Sequence, residues 1–105
     1  MAIIEIWKAK PSWSAVPLSR REKIIERLAE MIKSACLPRN GPRDVGPFLI
    51  HKEEICLLVW ISQMDETSVA TKYAEIGLTE CFEPLAYATA TNAHSAKTLA
   101  EKLSN

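Results

Sequence analysis

Ile55-Cys56-Leu57-Leu58-Val59-Trp60-Ile61 is apolar at every position. The run is short for a helix and carries β-branched and aromatic side chains, so it predicts a strand. A strand without polar alternation has no wet side, so both of its faces should be covered. Upstream, Phe48–Lys52 forms a second strand, joined to Ile55–Ser62 as a hairpin around the charged turn Glu53-Glu54. That turn lacks the glycine chemistry that hairpins prefer.

Further toward the N-terminus, residues 2–8 (Ala-Ile-Ile-Glu-Ile-Trp-Lys) read as another strand. Pro11 and Pro17 bracket a turn-like stretch containing Trp13. Ser19-Arg20-Arg21-Glu22 fits the S-x-x-E capping box. Behind it, Ile24, Ile25, Leu28, Ala29, Ile32, Ala35 and Cys36 recur at helical spacing, with charged residues filling the other face. This predicts a helix over 19–36, stopped at Leu37-Pro38. From there to Pro47 the chain holds three of its six prolines and two of its three glycines, the composition of a loop.

Beyond the hairpin, Asp65 or Thr67 can cap a second helix, with Val69, Ala70, Tyr73 and Ile76 inward and Gly77 as its stop. Phe82–Thr91 alternates Leu85, Tyr87, Thr89 and Thr91 with Pro84, Ala86, Ala88 and Ala90. We read it as an edge strand, although its alanines also permit a helix. Ser95 can cap a short terminal helix with Ala96, Leu99, Ala100 and Leu103 on its apolar face.

The order is β-α-β-β-α-β followed by a helix, which predicts an α+β, ferredoxin-like domain spanning 1–105. Right-handed crossovers put strands one and three in the middle of an antiparallel sheet, with both connecting helices on one face. On strand one, Ile4 and Ile6 are assigned to the helix side, leaving Ile3, Glu5 and Trp7 opposite. A large bare apolar face is rare on a monomer, so a second copy related by a two-fold axis is expected to close it, giving a homodimer. The alternative is that the terminal helix covers the face alone.

Composition narrows the partners. The 105 residues, 48% hydrophobic and 25% charged, suit an ordinary globular domain. Thirteen basic residues balance thirteen acidic ones, which gives no electrostatic footprint for nucleic acid or a membrane surface. Cys36, Cys56 and Cys81 have no C-x-x-C spacing, so reduced thiols are expected in place of a disulfide framework or zinc site. Glu5 near the N-terminus disfavours a signal peptide, and no window nears the length of a membrane span, so a cytoplasmic location is expected.

The opening Glu5-Ile6-Trp7-Lys8-Ala9-Lys10-Pro11-Ser12-Trp13, with Pro17-Leu18 and Arg21 after it, resembles a group of small bacterial proteins of unknown function. These look like members of the dimeric α/β-barrel superfamily. The resemblance is most specific over the first 21 residues or so. Beyond them it rests on element order, on Trp60 in a strand and on Phe82-Glu83 opening the last one. It implies a ferredoxin-like fold and a cleft between sheet and helices or between sheets. Activities in that superfamily range from cofactor-free oxygenation to isomerisation, cyclisation and plain ligand binding, so the fold does not select among them.

Two residues are candidates for acid–base chemistry. Glu5 sits beside Trp7 on one side of a strand, where desolvation can tune a carboxylate toward neutral pH. The bland alternative is that Glu5 pairs with a cation or a backbone amide and only holds register. His51, at the end of the second strand, can shuttle protons but reads more readily as a solvated surface histidine. Trp7, Trp13, Trp60 and Tyr87 offer aromatic walls for an apolar or aromatic ligand, or else ordinary core packing. His94 and His51 stand too far apart, with no carboxylate at ligand spacing, to suggest a metal site, and no cofactor motif is present. The expectation is a cofactor-independent enzyme of isomerase, cyclase or monooxygenase type, or alternatively a non-catalytic binding or assembly module.

Overall fold

The computed structural model describes residues 3–35, 46–52, 54–62, 66–89 and 96–104. Cys36, Asp65, His94, Ser95, the stretch 37–45 and the last two residues of the expected fourth strand lie outside this set. Strand β1 (Ile3–Ala9) leads through a 3-10 turn (Pro11–Ala15) into helix α1 (Leu18–Ala35). Strands β2 (Phe48–Lys52) and β3 (Ile55–Ser62) follow, then α2 (Glu66–Glu75), α3 (Leu78–Cys81), β4 (Phe82–Thr89) and α4 (Ala96–Ser104).

The strands form an antiparallel sheet in the order β2-β3-β1-β4. This α+β arrangement is compatible with a ferredoxin-like fold. Hairpin β2–β3 closes at Lys52↔Ile55, the expected boundary. Residues 82–89 are strand, which settles the choice that the alanines left open. Between Ile6↔Ala86 and Trp7↔Pro84, strand β4 advances two residues while β1 advances one. Leu85 is the extra residue of this bulge, so the alternation expected along 82–91 breaks there.

Helix α1 begins at Leu18, ahead of the expected Ser19 cap, because the Pro17 carbonyl accepts from the amides of both Arg20 and Arg21. Gly77 follows α2 in the left-handed conformation (φ 86°), where glycine carries no Cβ penalty. The four-residue helix α3 was not legible in the sequence. It buries Leu78 and Cys81, and the Cys81 carbonyl accepts from the Lys10 amide at 2.8 Å.

Leu58, Val59, Trp60 and Ile61 are all buried, so β3 is covered on both faces as its composition requires. The two covers differ. Trp7, Leu58 and Trp60 pack with Ile24, Leu28 and Ile32 of α1 and with Tyr73, Leu78 and Phe82. Ile4, Val59, Ile61 and Ile50 pack on the other face with Ala96 and Ala100 of α4.

This corrects the sequence reading twice. Glu5 and Trp7 lie on the side of α1 and α2, and Ile4 and Ile6 on the opposite side. The face over β3 is closed within one chain by α4, so it does not demand a second copy. The apolar face of α4, with Ala96 and Ala100 buried, packs on the aliphatic Ile4, Val59 and Ile61, whereas the indoles Trp7 and Trp60 pack with α1. Among the described residues, no helix is long and apolar enough to cross a membrane.

Gly46 (φ 95°) approaches β3 so closely that a Cβ there would meet the Val59 carbonyl oxygen at 2.7 Å. Gly46→Ala therefore adds a backbone clash to an unfavourable conformation. We expect it to lower unfolding stability by roughly 1–3 kcal/mol in urea titrations. A variant as stable as the parent would show that this approach is not tight.

Candidate functional site

The alternation of β1 carries Glu5 and Trp7 together beneath α2, and the register Glu5↔Trp60 sets Trp60 beside them. Glu5 is only 5% exposed. Its Oε1 accepts a hydrogen bond from Trp7 Nε1 at 3.1 Å, and its Oε2 accepts from the Tyr73 hydroxyl at 2.7 Å. The Tyr73 oxygen in turn accepts from Trp60 Nε1 at 3.1 Å. Among the described residues, no buried side-chain nitrogen or oxygen lacks a partner.

The three rings pack on one another. Trp7 lies 5.6 Å from Trp60 and 5.3 Å from Tyr73 between centroids, and Trp60 lies 5.7 Å from Tyr73. These are contact separations for tilted and edge-to-face pairs, so the three rings pack directly on one another. Burial pushes the Tyr73 hydroxyl well above its ordinary range, and the Glu5 carboxylate adds to the effect. The hydrogen bonds from Trp60 and Ser62 oppose it. The Tyr73 hydroxyl thus stays protonated and donates a hydrogen bond to Glu5.

Of the other residues expected to shape a site, Tyr87 pairs with Glu5 across β1–β4 but is 58% exposed. Trp13 is buried against Phe82, with 4.7 Å between ring centroids. His51 is exposed on β2 opposite Cys56, whereas Glu5 stands opposite Trp60. Four residues along β3 and two strand spacings separate them, roughly 16 Å. Glu5 and His51 therefore do not work as one acid–base pair.

Tyr73 was placed in the core by the sequence and not in the site. Its link to Glu5 spans 68 positions and leaves no local signal. The hydroxyl of a buried tyrosine needs a partner, and that was the one available clue.

On the same side of the sheet, a groove of about 600 Å³ runs between α1 and the edge strand β2. Trp13, Leu18, Ile25, Ala29, Pro47 and Leu49 give it apolar walls. His51, Arg21, Glu22, Glu26 and Lys33 supply polar groups. It brings Trp13 and His51 to one cavity, and Glu5, Trp7, Trp60 and Tyr87 are not among its lining residues. Arg21 is fixed there. Its Nε donates to the Val16 carbonyl at 2.8 Å, its Nη2 to the Ser14 carbonyl at 2.9 Å, and its guanidinium lies 5.4 Å above the Trp13 ring.

Burial raises the Cys56 and Cys81 thiols above their ordinary range, more than Arg21 or the Trp13 indole lowers the first and Arg20 or Lys10 the second. Both stay in the poorly nucleophilic thiol form near neutral pH. Among the described residues, no three His, Cys, Asp or Glu side chains group as metal ligands. No family model matches this chain, and no curated protein or solved structure does.

Tyr73→Phe removes the donor to Glu5 and the acceptor of Trp60, which should cost about 1–3 kcal/mol in chemical unfolding. The raised hydroxyl also fixes a pH dependence. Above pH 10.0, the ordinary tyrosine value, the unfolded chain releases this proton while the folded chain retains it, so stability falls as pH rises. Absorbance of tyrosinate should show one phenol ionising only as the chain unfolds, and Tyr73→Phe should remove that step. Ionisation of Tyr73 in the folded chain would contradict the assignment.

Proposed function

We propose that this chain is a small-molecule-binding protein of the ferredoxin-like, dimeric α/β-barrel type, taking an apolar or aromatic ligand in the groove between α1 and β2. The groove is the observation that carries this reading. Its volume falls within the roughly 300–1,000 Å³ of small-molecule sites, and it combines apolar walls with a few polar groups. Strand order and the resemblance of residues 5–21 favour the family assignment.

Plain binding is favoured over acid–base turnover at Glu5. A general base must reach its substrate's proton, and both Glu5 oxygens are already held by Trp7 and Tyr73 in a filled core.

Pairing of two copies is proposed through the β1–β4 half of the sheet. Helix α4 packs on β2 and β3, and Ile6 remains only half buried beside exposed Ala86. The edge strand also exposes Leu85 and Tyr87 by more than half. Such a strand invites pairing or cover.

A panel of aromatic and apolar metabolites scored by thermal shift should contain compounds that raise the melting temperature, since a ligand of the native state stabilises it. The shift should survive Glu5→Gln and vanish in Leu49→Trp, which fills the groove. Loss of the shift in Glu5→Gln with retention in Leu49→Trp would move the site to the buried carboxylate. Sedimentation at micromolar concentration should show a dimer that Leu85→Glu dissociates, and single chains throughout would reject the pairing.

A further inference from the structure

The charged residues of the groove are not equivalent. Glu22, Glu26 and Lys33 are exposed on α1, where solvent screens them. Arg21 alone among the four is drawn partly out of water. Its orientation is set from two directions, by the backbone carbonyls of Ser14 and Val16 and by the Trp13 ring beneath it. Among the described residues, those bonds engage two of the five N–H groups of the guanidinium. Among the described residues, no carboxylate lies within ion-pair distance of Arg21, whereas its neighbour Arg20 pairs with Glu80 at 3.1 Å.

A half-buried, immobilised arginine whose described partners take only two of its donors is organised to receive an anion, and its planar fork matches a carboxylate. Because its rotamer is already fixed, little further ordering is needed when the anion arrives. The apolar floor continues from Trp13 toward Ile25 and Leu49.

We infer that the groove binds a carboxylate with a flat apolar body, the carboxylate on Arg21 and the body over Ile25 and Leu49. This rests on the groove being the ligand site and names the class of ligand. The geometry separates the two functions of the ligand's ends. Arg21 supplies orientation and charge selection, while the apolar walls supply affinity that an uncharged analogue shares.

The test uses the full chain, with 2-naphthoate and its neutral counterpart 2-naphthalenemethanol as probes, followed by NMR through the Trp13 indole and Leu49 signals. Naphthoate should bind at least tenfold more tightly than the alcohol, with an advantage that shrinks as salt rises. Arg21→Gln should bring naphthoate down to the alcohol's affinity and leave the alcohol unchanged. Arg21 also holds the Pro11–Ala15 turn, so the variant's fold is checked by its unliganded spectrum. If it does not fold, the salt dependence and the probe comparison on the parent chain still decide the matter. Equal binding of both probes at the groove would overturn the carboxylate assignment and leave the groove standing. Perturbation of neither signal by either probe would overturn both.

Discussion

A carboxylate buried with no cation among its described partners is the constraint on which this structure turns. Taking a carboxyl group out of water is expensive unless hydrogen bonds replace the lost hydration. Glu5 obtains them from Trp7 on its own strand and from Tyr73 on α2, and Trp60 on β3 completes the chain of donors. The Tyr73 hydroxyl thus ties β1, through Glu5, and β3, through Trp60, to α2. Removing the Tyr73 hydroxyl would leave Glu5 Oε2 and Trp60 Nε1 in the buried core without this partner, so the network specifies how α2 sits on the sheet as well as stabilising it.

The remaining architecture follows from filling the two sides of β3 differently. The side of α1 and α2 is aromatic and polar at its centre, and the side of α4 is aliphatic and close-packed. At the middle of the first side the three rings pack on one another. A groove opens at the margin of that side, where α1 runs beside the edge strand β2. The ligand proposal therefore moves from the buried carboxylate, where the sequence pointed, to a groove that only the folded chain creates.

Much of the fold was legible because its signals are periodic. The unbroken apolar run 55–61 announced a doubly covered strand, and the helical spacing of Ile24, Leu28 and Ile32 announced α1. What periodicity cannot supply is side. A repeat of two separates Ile4 and Ile6 from Glu5 and Trp7 but does not say which pair meets the helices. Tertiary packing settles that: Trp7 joins the core of α1, and Ile4 the core of α4. Helix α3 escaped because four residues are too few for a period, and the Leu85 bulge escaped because one inserted residue resembles normal alternation. The partnership of Glu5 with Tyr73 and the meeting of Arg21 and Trp13 with Leu49 and His51 are tertiary juxtapositions without local signatures.

A double-mutant cycle between Glu5→Gln and Tyr73→Phe, read by urea unfolding, addresses the central claim most directly. If the Tyr73 hydroxyl and the Glu5 carboxylate hold one another in the core, the two substitutions should be strongly non-additive, with a coupling of about 1–3 kcal/mol. Additivity to within roughly 0.5 kcal/mol would show that the two side chains are independent, and the network would no longer explain how α2 is docked on the sheet.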